Sequence, residues 1–252
     1  MKAKESDWYK KGWTLDCKEQ SWTEDTKNQV DFIIQSLDLK GNEKILDLAC
    51  GFGRHSLELA RRGYIVTGVD ITKVFIDDAI QSAKKEHLSI TFINEDIRNL
   101  SFHEEFDVVL NLADGAIGYL ENEEENNKIF DCISNALKPG GKSFIEIQSG
   151  DYANAHFPLK TWDAGEKGLT LSYFEWDKDT HILLYGQKDY TYGDVLTKPY
   201  MPYGDPIRLY TQKEIEQIMK SRNMKLDKTY CDYKGNMASE KEFQLIAISR
   251  KG

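Results

Sequence analysis

The chain of 252 residues predicts an α/β fold: a doubly wound, mostly parallel sheet with helices on both faces, joined by an antiparallel β insert. Three observations predict it. Short runs alternate with stretches of helical period from about residue 45 to residue 147. The short runs are apolar nearly throughout, as strands covered on both faces must be. The alternation then stops at Gln148, where an aromatic-rich stretch takes over. Strands separated by helices of this length join as right-handed parallel crossovers.

Taken in order, a first helix is expected from Trp22, capped by Thr23, with Val30, Ile33, Ile34 and Leu37 at helical spacing and a stop at Lys40-Gly41-Asn42. A strand at 45–49, a helix at 54–62 and a strand at 64–69 follow. Val74, Phe75, Ile76, Ala79, Ile80 and Ala83 mark the next helix, and residues 90–93 and 106–110 read as strands. The acidic run 121–126 suits the solvated start of a helix, where carboxylates meet the positive end of the dipole. That helix carries Ile129, Ile133, Ala136 and Leu137, and should stop at Lys138-Pro139-Gly140-Gly141 before a strand at 143–147.

Residues 148–208 show no helical period. Within them, 169–176 and 181–192 read as a hairpin around Asp177-Lys178-Asp179, with a third strand near Ile207. Thr211-Gln212-Lys213-Glu214 is a capping box opening a helix through Ile215, Ile218 and Met219, and strands at 226–233 and 243–248 finish the chain. The expected organisation is therefore a core of 1–147 and 209–252 with 148–208 as a cap. Trp8, Tyr9, Trp13 and Trp22 make residues 1–22 a candidate lid, or else a segment that packs into the core or anchors on the surface.

Composition excludes several classes. With 33 basic and 42 acidic side chains the net charge is −9, which repels a phosphate backbone, so nucleic acid is not an expected partner. The four cysteines, at 17, 50, 132 and 231, lie far apart without a C-x-x-C pair and read as neither a disulfide framework nor a metal site. No leader-like apolar run opens the sequence, and no stretch is long and apolar enough for a membrane span. A cytoplasmic protein, monomer or homodimer, is the expectation.

The chemistry concentrates where the first strand meets its helix. In Asp47-Leu48-Ala49-Cys50-Gly51-Phe52-Gly53 the glycines let the backbone turn sharply and approach a ligand, and the helix beyond offers free N–H groups. Asp70 ends the next strand, where a carboxylate accepts hydrogen bonds from ribose hydroxyls. The dinucleotide fingerprint G-x-G-x-x-G needs a small residue in its third place, and here Gly51-Phe52-Gly53-Arg54-His55 runs into Ser56. Asp47 repels a pyrophosphate and suits an ammonium group. The loop thus favours a nucleoside with a zwitterionic, phosphate-free tail.

These motifs resemble those of the class I S-adenosylmethionine-dependent methyltransferases. The glycine motif is similar to residues 45–56, the ribose acid to Asp70 with Ile71 beside it, and the adenine-binding stretch to 94–97. The fourth motif resembles 106–111 and its companion LKPGG lies at 137–141. The resemblance implies a Rossmann-like fold and S-adenosyl-L-methionine as cofactor, leaving as S-adenosyl-L-homocysteine, with no metal. It implies contacts from Asp47, Ala49, Cys50, Gly51, Gly53, Asp70, Ile71, Asp96, Ile97 and Asn111. One departure is Ala49, where the family's first glycine stands. Asp96 is also placed to cap the turn that follows it, and Arg54 and His55 read as packing or carboxylate-contacting residues.

The cap looks like that of glycine N-methyltransferases and amino-sugar N,N-dimethyltransferases, which implies a small-molecule acceptor and prefers nitrogen over oxygen. In the loop after the fourth strand, 114–120, Tyr119 is the candidate acceptor-side catalytic group. Tyr190, Tyr192, Tyr200 and Tyr203 are candidates to surround a cationic amine through their ring faces, or else to form a small satellite core. Two alternatives remain: a protein that binds S-adenosylmethionine and transfers nothing, and an NAD(P)-dependent oxidoreductase.

Overall fold

A computed structural model describes residues 1–20, 23–120, 122–166 and 168–252. Its elements begin with β1 (Lys2–Ala3), α1 (Thr26–Leu37), β2 (Lys44–Leu48), α2 (Arg54–Arg61), β3 (Ile65–Asp70), α3 (Lys73–Lys85), β4 (Ile90–Asn94) and β5 (Phe106–Asn111). They continue with α4 (Glu123–Ala136), β6 (Leu137–Gln148), α5 (Gly150–His156), β7 (Leu159–Ala164), β8 (Gly168–Asp177) and β9 (Ile182–Thr191). The last are β10 (Tyr203–Arg208), α6 (Gln212–Lys220), β11 (Met224–Tyr230) and β12 (Gln244–Lys251).

The alternation of apolar residues along the strands fixes the layers. β2 sends Ile45 to one cluster and Leu46 and Leu48 to another; β5 likewise divides Val108 and Leu110 from Val109. Side chains two apart share a face, so both faces of these strands must be covered. Val30, Ile33 and Leu37 of α1 and Leu59 of α2 cover the first face, while Ile129 and Ile133 of α4 and Ile215 and Met219 of α6 cover the second. The seven-stranded sheet runs β11-β12-β6-β5-β2-β3-β4. From β6 to β4 its neighbours are parallel, and β12 returns antiparallel beside β6. The chain winds outward through β3 and β4, then crosses back to β5, so the order reverses at β2. Ligands of such sheets bind at that reversal, beyond the strands' carboxyl ends.

A second, five-stranded sheet, β1-β10-β9-β8-β7, is antiparallel except for its β1 edge. It packs on the first through a third cluster that includes Ala153, Phe157, Leu183, Ile207 and Leu209, with Trp8 and Tyr119 laid against it.

Several local expectations change. The stretch read as lacking helix contains α5, where Ser149 caps the chain by accepting the Tyr152 N–H at 3.2 Å. β7, also unexpected, pairs with β8. The α4 helix does not end in a Pro-Gly-Gly loop: β6 begins at Leu137, and residues 138–141 are taken up as an irregularity between the pairs Phe106–Leu137 and Val108–Lys142. Thr23 does not cap α1. Its hydroxyl donates to the carbonyls of Lys18 and Gln20 instead, and the helix starts after Asp25. Trp22 lies outside the described residues. The Thr211–Glu214 capping box forms as expected, with the Glu214 N–H on Thr211 Oγ1 at 3.2 Å and the Thr211 N–H on the Glu214 carboxylate at 2.8 Å.

Candidate active site

The tips of β2, β3 and β5 open onto one cleft. The loop after β2 contributes Asp47, Ala49, Cys50 and Gly51, and the tip of β3 contributes Asp70 and Ile71. Asp96 and Ile97 form one end, and the loop after β5 supplies Asp114, Gly115 and Tyr119 on the facing wall. Tyr9, Trp13 and Cys17 of the N-terminal segment complete the lining. Lys18 ties that segment to α3 through Asp78 at 2.7 Å.

Three residues at alternate positions make the loop after β2 tight: Ala49, Gly51 and Gly53 have φ of 56°, 57° and 77°. The left-handed region favours glycine, and Ala49 occupies it with a methyl group present. Gly53 has a further constraint. A Cβ there would lie 2.9 Å from the Phe92 ring and 3.1 Å from Ala79, so the glycine lets α2 seat against β4 and α3. Gly53 therefore shapes the loop from behind, and the cleft lining passes it by.

Asp70 fixes the loop to the neighbouring strand. One carboxylate oxygen accepts the Gly51 N–H at 2.8 Å and the other the Thr72 N–H at 2.7 Å. Burial raises its pKa, and those two N–H groups pull it back. Asp47, also buried, accepts the Ser56 hydroxyl at 2.6 Å. Ser56 thus occupies the third fingerprint position in order to hold a carboxylate, a role unrelated to passing a pyrophosphate. Burial pushes Asp47 up to about 6, against the Ser56 hydrogen bond and the Arg54 charge. Cys50 stays a thiol, because burial and the charges of Asp47 and Asp70 push its pKa well up. His55 is held well below its ordinary range by burial and by Arg54, so its ring is neutral; Gln29 meets it at 2.9 Å.

Asp96 is occupied by its own turn. It accepts the Arg98 backbone N–H at 3.0 Å and grips the Arg98 guanidinium through Nε at 3.0 Å and Nη2 at 2.6 Å. Burial alone would raise its pKa, but the Arg98 contacts leave it below the usual carboxylate range. Asn111 is fully buried and lies outside the cleft lining. Its amide donates to the carbonyls of Leu48 at 3.1 Å and Gly115 at 2.6 Å, clamping the loops after β2 and β5 to each other.

The four tyrosines of the second sheet do not converge on the cleft. Tyr192, Tyr200 and Tyr203 are 58%, 83% and 55% exposed, and Tyr190 is buried with its hydroxyl on the Thr197 carbonyl at 2.8 Å. The aromatic that packs on Tyr119 comes from the N-terminus: the Trp8 ring lies 5.1 Å from that of Tyr119. Tyr119 and Leu120 also wall a second, open cavity, whose lining includes Ser6, Asn122, Asn126, Thr180 and Arg208. Burial and the charges of Asp114 and Asp205 hold the Tyr119 pKa well above its ordinary value, so it remains a phenol.

Asp114 did not stand out in the sequence as a site residue. Burial first, then the Glu146 charge, push it up to about 7, against a hydrogen bond from Gln148 at 3.0 Å. The sequence signal available was an acid followed by glycine just beyond a strand tip; Glu146, on β6, has no sequence link to it.

Chemically the lining has one bias. Asp47, Asp70, Asp96 and Asp114 share the cleft lining with one guanidinium, that of Arg54, among the described residues, and Asp96 is paired with Arg98 behind the lining. Such a site disfavours a pyrophosphate and fits a nucleoside that carries cationic groups and hydroxyl donors.

Residues 45–141 match the methyltransferase domain family model. Among curated proteins the chain is 26% identical to YqeM of Bacillus subtilis, provisionally named a methyltransferase, over 87% of this chain and 88% of that one. It is 34% identical to a ubiquinone biosynthesis O-methyltransferase of Coxiella burnetii over 45% of this chain and 47% of that one. It is 28% identical to a glycine/sarcosine N-methyltransferase of Halorhodospira halochloris over 52% and 49%. The chain carries an S-adenosylmethionine-dependent methyltransferase domain. The methyltransferase spans about half the length of the last two relatives. Its fold is similar to that of an S-adenosylmethionine-dependent methyltransferase from Clostridium acetobutylicum, with a TM-score of 0.75, 19% identity and coverage of 94% and 96%. It is also similar to the sugar N-methyltransferase KedS8 from Streptoalloteichus, with a TM-score of 0.65, 14% identity and coverage of 96% and 94%.

Proposed function

We propose that this methyltransferase moves the methyl group of S-adenosylmethionine to a small-molecule acceptor, with nitrogen preferred over oxygen. The observation that carries the reading is the cleft at the chain reversal, where Asp47, Asp70 and Asp114 line a left-handed loop with Arg54 as the one guanidinium in the lining among the described residues. When bound, the sulfonium cofactor supplies an activated methyl group. The chain's own task is to hold, orient and keep dry.

Asp70 would take the ribose hydroxyls on the lone pairs left beside Gly51 and Thr72. Asp47 would face the ammonium of the methionine tail, and the segment around Asp96 and Ile97, with Ile71, would border the adenine. Ala49, Cys50 and Gly51 would bring backbone close to the tail. Tyr9 and Trp13 would close the cleft against water, which strengthens every charge interaction inside it. Tyr119 walls both cavities. That position supports an acceptor-side role, with the acceptor's body in the second cavity and the second sheet as its cap. The nitrogen preference draws on the glycine/sarcosine N-methyltransferase and the sugar N-methyltransferase among the similar proteins.

Incubation with methyl-labelled S-adenosylmethionine and separate panels of amines, alcohols and phenols tests the reading. Label should move to an amine, and Tyr119→Phe should slow turnover more than it weakens cofactor binding. Transfer only to oxygen acceptors would reverse the nitrogen preference; transfer only to a macromolecule would overturn the small-molecule reading.

A further inference from the structure

One carboxyl of the cleft is left over once the others are accounted for. Asp70 accepts two backbone N–H groups, Asp96 grips Arg98, and Asp47 holds the Ser56 hydroxyl on one oxygen and is given to the cofactor's ammonium in the reading above. Asp114 has the Gln148 amide on one oxygen at 3.0 Å, and its other oxygen has no partner among the described residues. The loop that carries it is set deliberately. Ala113, Asp114 and Ala116 all sit in the left-handed region, with φ of 52°, 61° and 68°. Non-glycine residues hold that conformation only where their surroundings over-determine it. Here Glu146 accepts the Ala113 N–H at 2.9 Å, Asn111 donates to the Gly115 carbonyl at 2.6 Å, and the Tyr119 N–H closes on the Ala116 carbonyl at 3.0 Å.

The result is a carboxyl aimed into the cleft beside Tyr119, backed by a second carboxylate. Two neighbouring carboxylates resist joint ionisation unless a cation joins them. An alcohol or phenol brings no such charge; an ammonium does. Resting on the methyl-transfer reading above, we propose that the acceptor is an aliphatic amine entering as its ammonium ion, and that Asp114 is the catalytic residue that binds and deprotonates it.

The step balances on the chain's own atoms. An N–H bond of the ammonium breaks and an O–H bond forms on the free oxygen of Asp114. The electron pair of the broken bond stays on nitrogen as the nucleophilic lone pair. Carboxylate and ammonium become carboxylic acid and neutral amine, and the proton leaves to solvent after product departs. Without such a base, an aliphatic amine with a pKa near ~10 is only about one-thousandth neutral at pH 7. A base is most effective when its own pKa is near the working pH, and burial with Glu146 brings Asp114 to about 7. The other groups facing it keep their roles: Tyr119 and Tyr233 remain phenols, Tyr233 donates to Glu146, and Arg54 lies toward the Glu146–Tyr233 pair.

The test uses the full chain saturated with S-adenosylhomocysteine, whose binding is first measured by calorimetry. Ligand-observed NMR then compares linear primary amines from methylamine to hexylamine, benzylamine and ethanolamine with alcohols of the same skeleton. At least one amine should bind the wild type at pH 8 ten times more tightly than its alcohol, and that affinity should fall as pH drops through about 7. Asp114→Asn should weaken amine binding at least tenfold with homocysteine-product affinity within twofold of wild type, and Asp114→Glu should restore part of it. Alcohols binding as well as amines, no amine binding at all, or amine binding untouched in Asp114→Asn would each overturn the proposal. If Asp114→Asn fails to fold, the wild-type pH profile and Asp114→Glu decide alone. Failure to bind S-adenosylhomocysteine would instead strike the cofactor reading, so the two failures are distinguishable.

Discussion

The two walls of the cleft are built on different plans. On the β2–β3 wall the carboxyls are committed: Asp70 to the N–H groups of Gly51 and Thr72, and Asp47 to Ser56. On the β5–β6 wall the backbone carries the strain, in Ala113, Asp114 and Ala116, and the Asp114 carboxyl has an oxygen to spare. The first wall is pre-organised by hydrogen bonds that end on its own loop. The second depends on distant props: Glu146 and Asn111 at the strands, and Asn126 of α4, which accepts the Gly118 N–H at 2.9 Å.

The sharpest way to break the second wall is at Gly118. Its φ is 90°, and a Cβ would lie 2.1 Å from the Arg208 carbonyl oxygen, in the strand to which this loop is bonded. Backbone cannot yield as a flexible side chain would, so Gly118→Ala should lower unfolding free energy by about 3 kcal/mol or more, read from urea denaturation. A loss under about 1 kcal/mol would show that the props are not what holds this wall.

On the first wall, Asp70→Ala should weaken S-adenosylhomocysteine binding by about 1.5–3 kcal/mol, roughly ten- to 150-fold, through lost charge-assisted hydrogen bonds. Unchanged calorimetric affinity would remove Asp70 from the ribose site.

Asp47 gives a pH signature. Its midpoint in the fold, about 6, lies above the ordinary 3.8, so between those values the folded chain holds more protons than the unfolded chain. The contribution to stability is therefore greatest at the acid end of that window and is lost as pH rises through it. Binding of an ammonium group runs the other way, since it needs the carboxylate. Affinity for S-adenosylhomocysteine should fall by up to about tenfold per pH unit below pH 6, and Asp47→Asn should flatten that slope. An identical slope in the variant would place the ammonium elsewhere.

The smallest effect is expected at Ala49, the one alanine standing where the resembling family has glycine. Ala49→Gly relieves a left-handed alanine but adds freedom to the unfolded chain, and the two nearly offset. Thermal unfolding should show a gain of up to about 1 kcal/mol, with cofactor affinity retained. A loss would mean that the methyl group packs usefully.

Much of the parallel core was legible because its signals are local. Ile45, Leu46 and Leu48 announce a strand buried on both faces, and Thr211 with Glu214 announces a helix start within four residues. Asp70 was readable as a strand-tip acid for the same reason. What was not legible depended on partners far along the chain. Thr23 has the chemistry of a cap, but the carbonyls of Lys18 and Gln20 claim its hydroxyl. Asn111 looked like a ligand residue and is a clamp, because the Leu48 and Gly115 carbonyls converge on it. The tyrosines at 192, 200 and 203 looked like a cage, yet the second sheet and the segment before β10 leave them facing outward. Asp114 acquires its character from burial first and then from Glu146 on the neighbouring strand, and no pattern within its own loop carries that information.

The most direct test of the account is calorimetric titration of the purified chain with S-adenosylmethionine, S-adenosylhomocysteine and NADH. The account predicts saturable, one-to-one binding of the first two, weakened at least tenfold by Asp70→Ala, and none for NADH. A folded protein that ignores both sulfur nucleosides at millimolar concentration, or binds NADH in their place, would contradict it.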